Sequence, residues 1–128
     1  MSTQEIKVSV CVVTYNQERY IAECLQSLVD QETNFNFEVI VSDDCSTDRT
    51  PEIIKDFQRR YPNIIKPILH KKNMGAYKNF IFVHKQAKGK YVAHMDGDDY
   101  ALPGKLQIQA DYLDHNAECN IVWTHILV

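Results

Sequence analysis

Short β-branched runs that alternate with segments of helical periodicity leave this chain few possible folds. Val8-Ser9-Val10-Cys11-Val12-Val13-Thr14 has strand length and composition and stops at Tyr15-Asn16. Ile21, Leu25, Leu28 and Val29 then recur on one helical face. After a connector over Asn34 to Phe37, the run Phe37 to Ser42 reads as a second strand, and Thr50-Pro51 reads as a cap with proline in the first turn. The helix behind that cap turns Ile53, Ile54, Phe57 and Tyr61 inward. Ile64 to Leu69 is a weaker third strand, and Pro67 predicts an edge position because proline cannot donate to a ladder. Asn73-Met74-Gly75 is a turn, and Tyr77, Phe80, Ile81 and His84 are the expected buried stripe of the third helix. Gly89 closes that helix and Tyr91 to Met95 is a fourth strand. A fourth helix, marked by Leu106, Ala110 and Leu113, begins near Pro103, and a last strand opens at Ile121. Short connections between alternating strands and helices require crossover units. The expected fold class is therefore α/β: a three-layer sandwich with a mostly parallel sheet, helices on both faces.

The length of 128 residues matches one domain, 1–128. A net charge of −3 without a basic face argues against nucleic acid as a partner. Apolar runs such as Val8 to Val13 and Ile121 to Val128 are too short to span a bilayer. No secretory signal is visible in Met1-Ser2-Thr3-Gln4-Glu5. Cys11, Cys24, Cys45 and Cys119 are scattered and read as reduced packing residues, and the five histidines show no zinc spacing. A cytoplasmic location is expected, with the cytoplasmic face of a membrane as the alternative for a full-length protein. The apolar run Ile121 to Val128 ends without a polar tail, so the chain is expected to be truncated at its C-terminus, its remaining part acting as partner.

In open parallel sheets, ligands bind outside the carboxyl ends of the strands. Here those ends carry Thr14, Tyr15 and Asn16; Asp43 and Asp44; His70, Lys71, Lys72, Asn73 and Gly75; and Asp96, Gly97, Asp98 and Asp99. Clustered carboxylates repel unless something positive is shared, and a hard divalent cation takes oxygen ligands together with substrate phosphates. The plain alternative for Asp96-Gly97-Asp98-Asp99 is a solvated acidic turn capping the next helix. Neither Gly-x-Gly-x-x-Gly nor Gly-x-x-x-x-Gly-Lys-Ser/Thr follows the first strand. Dinucleotide and P-loop binding are therefore poorly supported, and metal would have to neutralise any bound phosphate.

Four segments together carry a resemblance. Val10 to Asn16 followed by Tyr20-Ile21 and Leu25-Gln26-Ser27-Leu28, then Glu38 to Asp48 with its Asp-Asp-x-Ser-x-Asp, then Asn73-Met74-Gly75, and last Gly89 to Asp99 with its Asp-x-Asp, occur in the order seen in family-two glycosyltransferases. The chain resembles the N-terminal, donor-binding part of that family over nearly its whole length. What the resemblance implies is a GT-A fold, a Rossmann-like nucleotide-diphospho-sugar transferase architecture that binds a nucleotide-sugar donor, expected to be a UDP-sugar, with Mn or Mg. Thr14 and Tyr15 would line the nucleobase pocket, and Asp44 would accept the imide N–H of uracil. Asp43 and Asp48 would hold the loop or cap the helix. Asp96 would lie near ribose and metal, Asp98 would ligate the metal, and Asp99 would support it or approach the sugar. Lys78 or Asn79 would reach the nucleotide.

The implied reaction is inverting transfer of a hexosyl or N-acetylhexosaminyl group to an acceptor hydroxyl, as in polysaccharide biosynthesis. The acceptor would be a saccharide, a lipid-linked sugar or a protein. The general base of such a reaction is expected beyond Val128; His94, inside a strand, is expected to pack instead. A sugar-nucleotide pyrophosphorylase is the rival enzyme, but Val13-Thr14-Tyr15-Asn16-Gln17 lacks the glycine-rich basic loop of that group. A non-catalytic nucleotide-binding or interaction domain is the rival outside enzymes.

Overall fold

The computed structural model describes residues 5–122. Its elements run β1 (Ile6–Thr14), α1 (Ile21–Val29), β2 (Asn36–Asp43), α2 (Thr50–Arg60), β3 (Ile65–Leu69), α3 (Ala76–Lys85), β4 (Tyr91–Asp96) and α4 (Lys105–His115). The sheet order is β3-β2-β1-β4 and every pairing is parallel. Pro67 lies on β3, at the edge, as its missing donor requires. The strand expected from Ile121 falls largely outside the described residues; Ile121 and Val122 themselves carry no regular structure.

Alternation along the strands sorts the core into two unequal halves. Val8, Val10 and Val12 of β1 and Val39 and Val41 of β2 face α1, α2 and α4, packing against Leu25, Leu28, Ile54, Phe57, Leu106 and Ala110. Cys11 and Ile40 point the other way, where α3 supplies Val83. Three layers result, as the alternation predicts.

Two expectations about local structure are corrected. The stripe α3 buries is Asn79 and Val83, whereas Tyr77 is 77% exposed and Phe80 42%. Consecutive apolar residues at 80–83 make the helical phase ambiguous, and a polar partner inside the sheet decides it: Asn79 Nδ2 donates to the Ser42 carbonyl at 3.1 Å, and the Ser42 hydroxyl donates to Asn79 Oδ1 at 2.5 Å. Likewise Thr50 does not cap α2. Arg49 holds the N-cap position without a side-chain bond, Asp48 just before it accepts the Thr50 amide at 2.9 Å, and the Thr50 hydroxyl accepts the Gln17 amide at 3.0 Å.

The topology positions the site. The chain steps from β1 through β2 to β3, then crosses back to place β4 on the far side of β1. Strand order thus reverses between β1 and β4, where a crevice opens at the carboxyl ends. Register aligns Thr14 with Asp43 and Val13 with Asp96, so three loop origins share one rim.

Candidate functional site

At the end of β1 the backbone turns sharply, with Asn16 in the left-handed region (φ 50°). The turn is held by the neighbouring loop: the Asn16 amide donates to Ser46 Oγ at 2.8 Å, and Asn16 Oδ1 accepts the Thr47 amide at 2.8 Å. Asp43, 1% exposed, accepts the Ser46 amide and hydroxyl, which curls the β2–α2 loop onto itself. Asp48 also accepts the Glu18 amide at 3.2 Å. Partial burial raises its pKa, but hydrogen bonds from Thr50 and Glu18 outweigh that and hold the carboxyl below its usual range. The two loops are therefore one stitched unit, from which the Tyr15 ring projects, 47% exposed.

Asp44 follows Asp43 and is 3% exposed, yet its partners are different. Its carboxylate accepts the amides of Met74 (2.7 Å) and Gly75 (3.0 Å), and its carbonyl accepts Asn73 Nδ2 at 3.1 Å. Gly75 has φ 93°, a conformation that favours glycine, and its carbonyl accepts the Asn79 amide in the first turn of α3. Asp44 thus pulls the β3–α3 loop to the rim. Its two amide bonds leave lone pairs for a further donor, since an ionised carboxylate offers about four.

The acidic turn leaves β4 beside β1. The Gly97 amide donates to the Val13 carbonyl at 2.9 Å, and a Cβ at Gly97 would meet Gln17 Oε1 at 2.5 Å and Thr14 Oγ1 at 2.8 Å. Only glycine fits there, because the Thr14 hydroxyl, donating to Gln17 Oε1 at 2.7 Å, occupies the space. The turn closes with the Asp99 amide on the Asp96 carbonyl at 3.0 Å. Asp96, Asp98 and Asp99 are exposed, and one oxygen from each lies within 4.8 Å of the others. Among the described residues, only His94 comes within ion-pair distance of any of them, Nε2 to Asp96 Oδ1 at 3.1 Å. Their field reaches the Cys24 thiol, which burial, with the charges of Asp99, Asp98 and Asp96, pushes up to about 12.

Between these loops lies a hollow of about 450 Å³ lined by Thr14, Tyr15, Asp44, Asp96 and Asp98. Gln17, Asn73 and Asn79 also face it; Gln17 carries no motif signal, while Asn73 belongs to the Asn-Met-Gly turn. Lys78 is exposed and is not among the lining residues, whereas its neighbour Asn79 is. Asp99 stands outside the lining but within the acidic group. His94, expected to pack within its strand, lies on β4 with its ring packed 4.9 Å from Phe80 and 5.2 Å from His84. A second, open groove of about 660 Å³ between α1 and α2 lies away from the rim. Its charges pair locally, Arg49 with Glu52 and Arg59 and Arg60 with Asp56.

The residues fit a hard cation. Oxygens on opposite sides of a divalent ion, each about 2.0–2.6 Å from it, stand about 4–5 Å apart, close to the spread among these three carboxylates.

The family model for glycosyl transferase family 2 matches residues 9–126, and the chain belongs to that family. The uncharacterized protein Rv1520 of Mycobacterium tuberculosis is 43% identical over 122 residues, 94% of this chain and 35% of the relative. Among solved structures, Staphylococcus aureus TarS 1-349 in complex with UDP is similar at TM-score 0.77 and 40% identity, over 88% of this chain and 33% of that one. TarS is a poly(ribitol-phosphate) β-N-acetylglucosaminyltransferase. The Pyrobaculum calidifontis mannosyltransferase PcManGT, in complex with GDP-Man and Mn²⁺, is similar at TM-score 0.75 and 25% identity, over 87% of this chain and 33% of that one. The fold is thus the GT-A arrangement the resemblance implied. The chain spans about a third of the length of these relatives.

Proposed function

We propose that this chain is the donor-binding part of a glycosyltransferase that takes a sugar from a nucleoside-diphosphate sugar, a UDP-sugar, and transfers it with inversion to an acceptor hydroxyl, assisted by Mn²⁺ or Mg²⁺. The observation that carries the reading is one hollow whose lining combines the exposed Tyr15 ring and buried Asp44 with Asp96 and Asp98 of the exposed acidic turn. The relatives' complexes with UDP and with GDP-Man and Mn²⁺ support it.

In this reading the Tyr15 ring stacks on the nucleobase, and Asp44, fixed by the Met74 and Gly75 amides, accepts from the base edge. Asn79 lies nearer the nucleotide than Lys78 does, being the one of the two that lines the hollow. Asp98 and Asp96 hold the cation, with Asp99 completing the acidic set. A bound divalent ion offsets the negative charge that develops on the diphosphate as the sugar leaves. Because all three carboxylates sit on one turn, they bring that charge compensation to a fixed place on the rim. No general base for the acceptor is assigned among the described residues. Among the described residues, no helix is long and apolar enough to cross a membrane.

Calorimetry of the full-length protein with UDP, with and without Mn²⁺, tests the reading. Tighter UDP binding in Mn²⁺ is expected. UDP that fails to bind under either condition sinks the donor-site assignment, and binding indifferent to metal sinks the role of the acidic turn.

A further inference from the structure

Neither Ser27 of α1 nor Gln31, two residues past the end of that helix, lines the hollow, yet both side chains reach the segment that carries the acidic turn. Cys24 and Ser27 lie three residues apart on α1, and Gln31 follows just past the C-cap Asp30. The Cys24 thiol lies 3.7 Å from the Asp96 carbonyl. The Ser27 hydroxyl donates back to the Cys24 carbonyl at 2.7 Å and accepts the Ala101 amide at 2.9 Å. Gln31, only 7% exposed, donates from Nε2 to the Leu102 carbonyl at 2.9 Å and accepts the Leu106 amide on Oε1 at 3.1 Å. The C-terminal end of α1 and the residue just past it thus hold the backbone where the turn begins, at Asp96, and after it, at Ala101, Leu102 and Leu106.

The grip matters because the turn is poor in bonds of its own. Within residues 97–104 its other backbone hydrogen bonds are Gly97 to Val13 and Asp99 to Asp96, with Lys105 returning to Leu102 and Ile108 to Gly104 at the start of α4. Three like charges within 4.8 Å repel one another, and Asp98, Asp99 and Tyr100 are exposed. Polar side chains as buried as Gln31 are costly unless bonded, and here every bond is spent on this one segment or on α1 itself.

We propose that Ser27 and Gln31 are positioning residues that hold the Asp96–Asp99 turn in its metal-binding shape from behind. The proposal rests on the reading of that turn as a metal–diphosphate site. Partners that orient metal ligands without touching the metal commonly change metal affinity or activity by about 10–100-fold when removed.

The test uses the full-length protein with Ser27→Ala, Gln31→Leu and the conservative Ser27→Thr. Calorimetry measures UDP affinity with and without Mn²⁺, and hydrogen exchange in the absence of metal measures peptides spanning 97–104. Ser27→Ala and Gln31→Leu should each lower the Mn²⁺-dependent gain in UDP affinity by roughly tenfold and leave metal-free UDP binding within about twofold. Exchange in 97–104 should quicken while β1 and β2 stay protected, and Ser27→Thr, which keeps the hydroxyl, should behave as the parent. Equal losses with and without Mn²⁺ would reduce the two residues to ordinary packing and overturn the proposal. Variants that keep the full Mn²⁺ gain would overturn the grip alone. A parent protein that shows no Mn²⁺ gain, with exchange still quickened in the variants, would instead overturn the metal reading and the positioning role that depends on it.

Discussion

β2 and β4 flank β1, run parallel to it, and both end in aspartates, but the two ends are built in opposite ways. Asp43 and Asp44 are almost fully buried, and each carboxylate is bonded to groups of a loop: Ser46 for one, the Met74 and Gly75 amides for the other. Asp96, Asp98 and Asp99 are exposed, and among the described residues only the His94 imidazole, on Asp96, stands within ion-pair distance of them. A buried carboxylate survives only when hydrogen bonds replace its water, so the β2 pair is committed to architecture first. An exposed, mutually repelling set gains nothing from the fold and is free to gain from a ligand. One residue type thus does two jobs at one rim, and burial decides which.

The comparison breaks first at Asp44. Removing its carboxylate in Asp44→Ala strands two amides and releases the loop that starts α3, and hydrogen bonds to charged groups are worth about 1.5–3 kcal/mol each. The expected loss is about 3 kcal/mol, seen as a fall in the denaturant midpoint with unchanged slope, accompanied by weaker UDP binding. If Asp44→Ala keeps the parent midpoint, the buried acid is not the hub its bonds make it. Asp98→Asn is the mirror case. It removes one repelling charge from a solvated turn, so the midpoint should move by less than about 0.5 kcal/mol or rise slightly. The Mn²⁺-dependent part of UDP binding should nevertheless disappear. A variant that unfolds easily yet binds in Mn²⁺ as before would reverse the assignment.

Much of this contrast is invisible in the sequence. Alternation and β-branched runs suffice for the parallel sheet, the three layers and the edge position of Pro67, because those depend on periods and on a missing donor that any reader of the chain can count. The acidic turn is legible too, since its charges sit after a strand and beside a glycine. What stays hidden is which acids are buried. Asp43-Asp44 and Asp98-Asp99 look alike as dipeptides, and their difference comes from the Asn73–Gly75 loop about thirty residues later folding onto Asp44. The phase of α3 is hidden for the same reason: Ser42, on another element, makes the polar Asn79 the buried residue in a helix whose apolar residues suggest Phe80. Gln17 is hidden because its place over Gly97 depends on a register between β1 and β4 set by the whole sheet.

A third acid sharpens the comparison, because it is exposed like the turn and bonded like the buried pair. Asp114, near the C-terminal end of α4, lies at the opposite end of the sheet from the hollow. It accepts from the Lys7 ammonium and, at 2.6 Å, from the Tyr91 hydroxyl, with Lys90 at 3.7 Å. The hydrogen bond from Lys7, then that from Tyr91, draws its carboxyl from the ordinary 3.8 down to about 2. A depressed folded-state pKa adds stability above the unfolded value and loses it as pH falls through the folded one. Asp114→Asn should therefore melt slightly below the parent at pH 5 to 7, on the order of 1–2 °C for so exposed a pair. The gap should narrow below pH 4 and close near pH 2. Salt should shrink it at neutral pH, as screening does for solvent-facing charges. A gap that persists unchanged at pH 2 would mean that asparagine disturbs packing at α4, and that the charge of Asp114 contributes nothing.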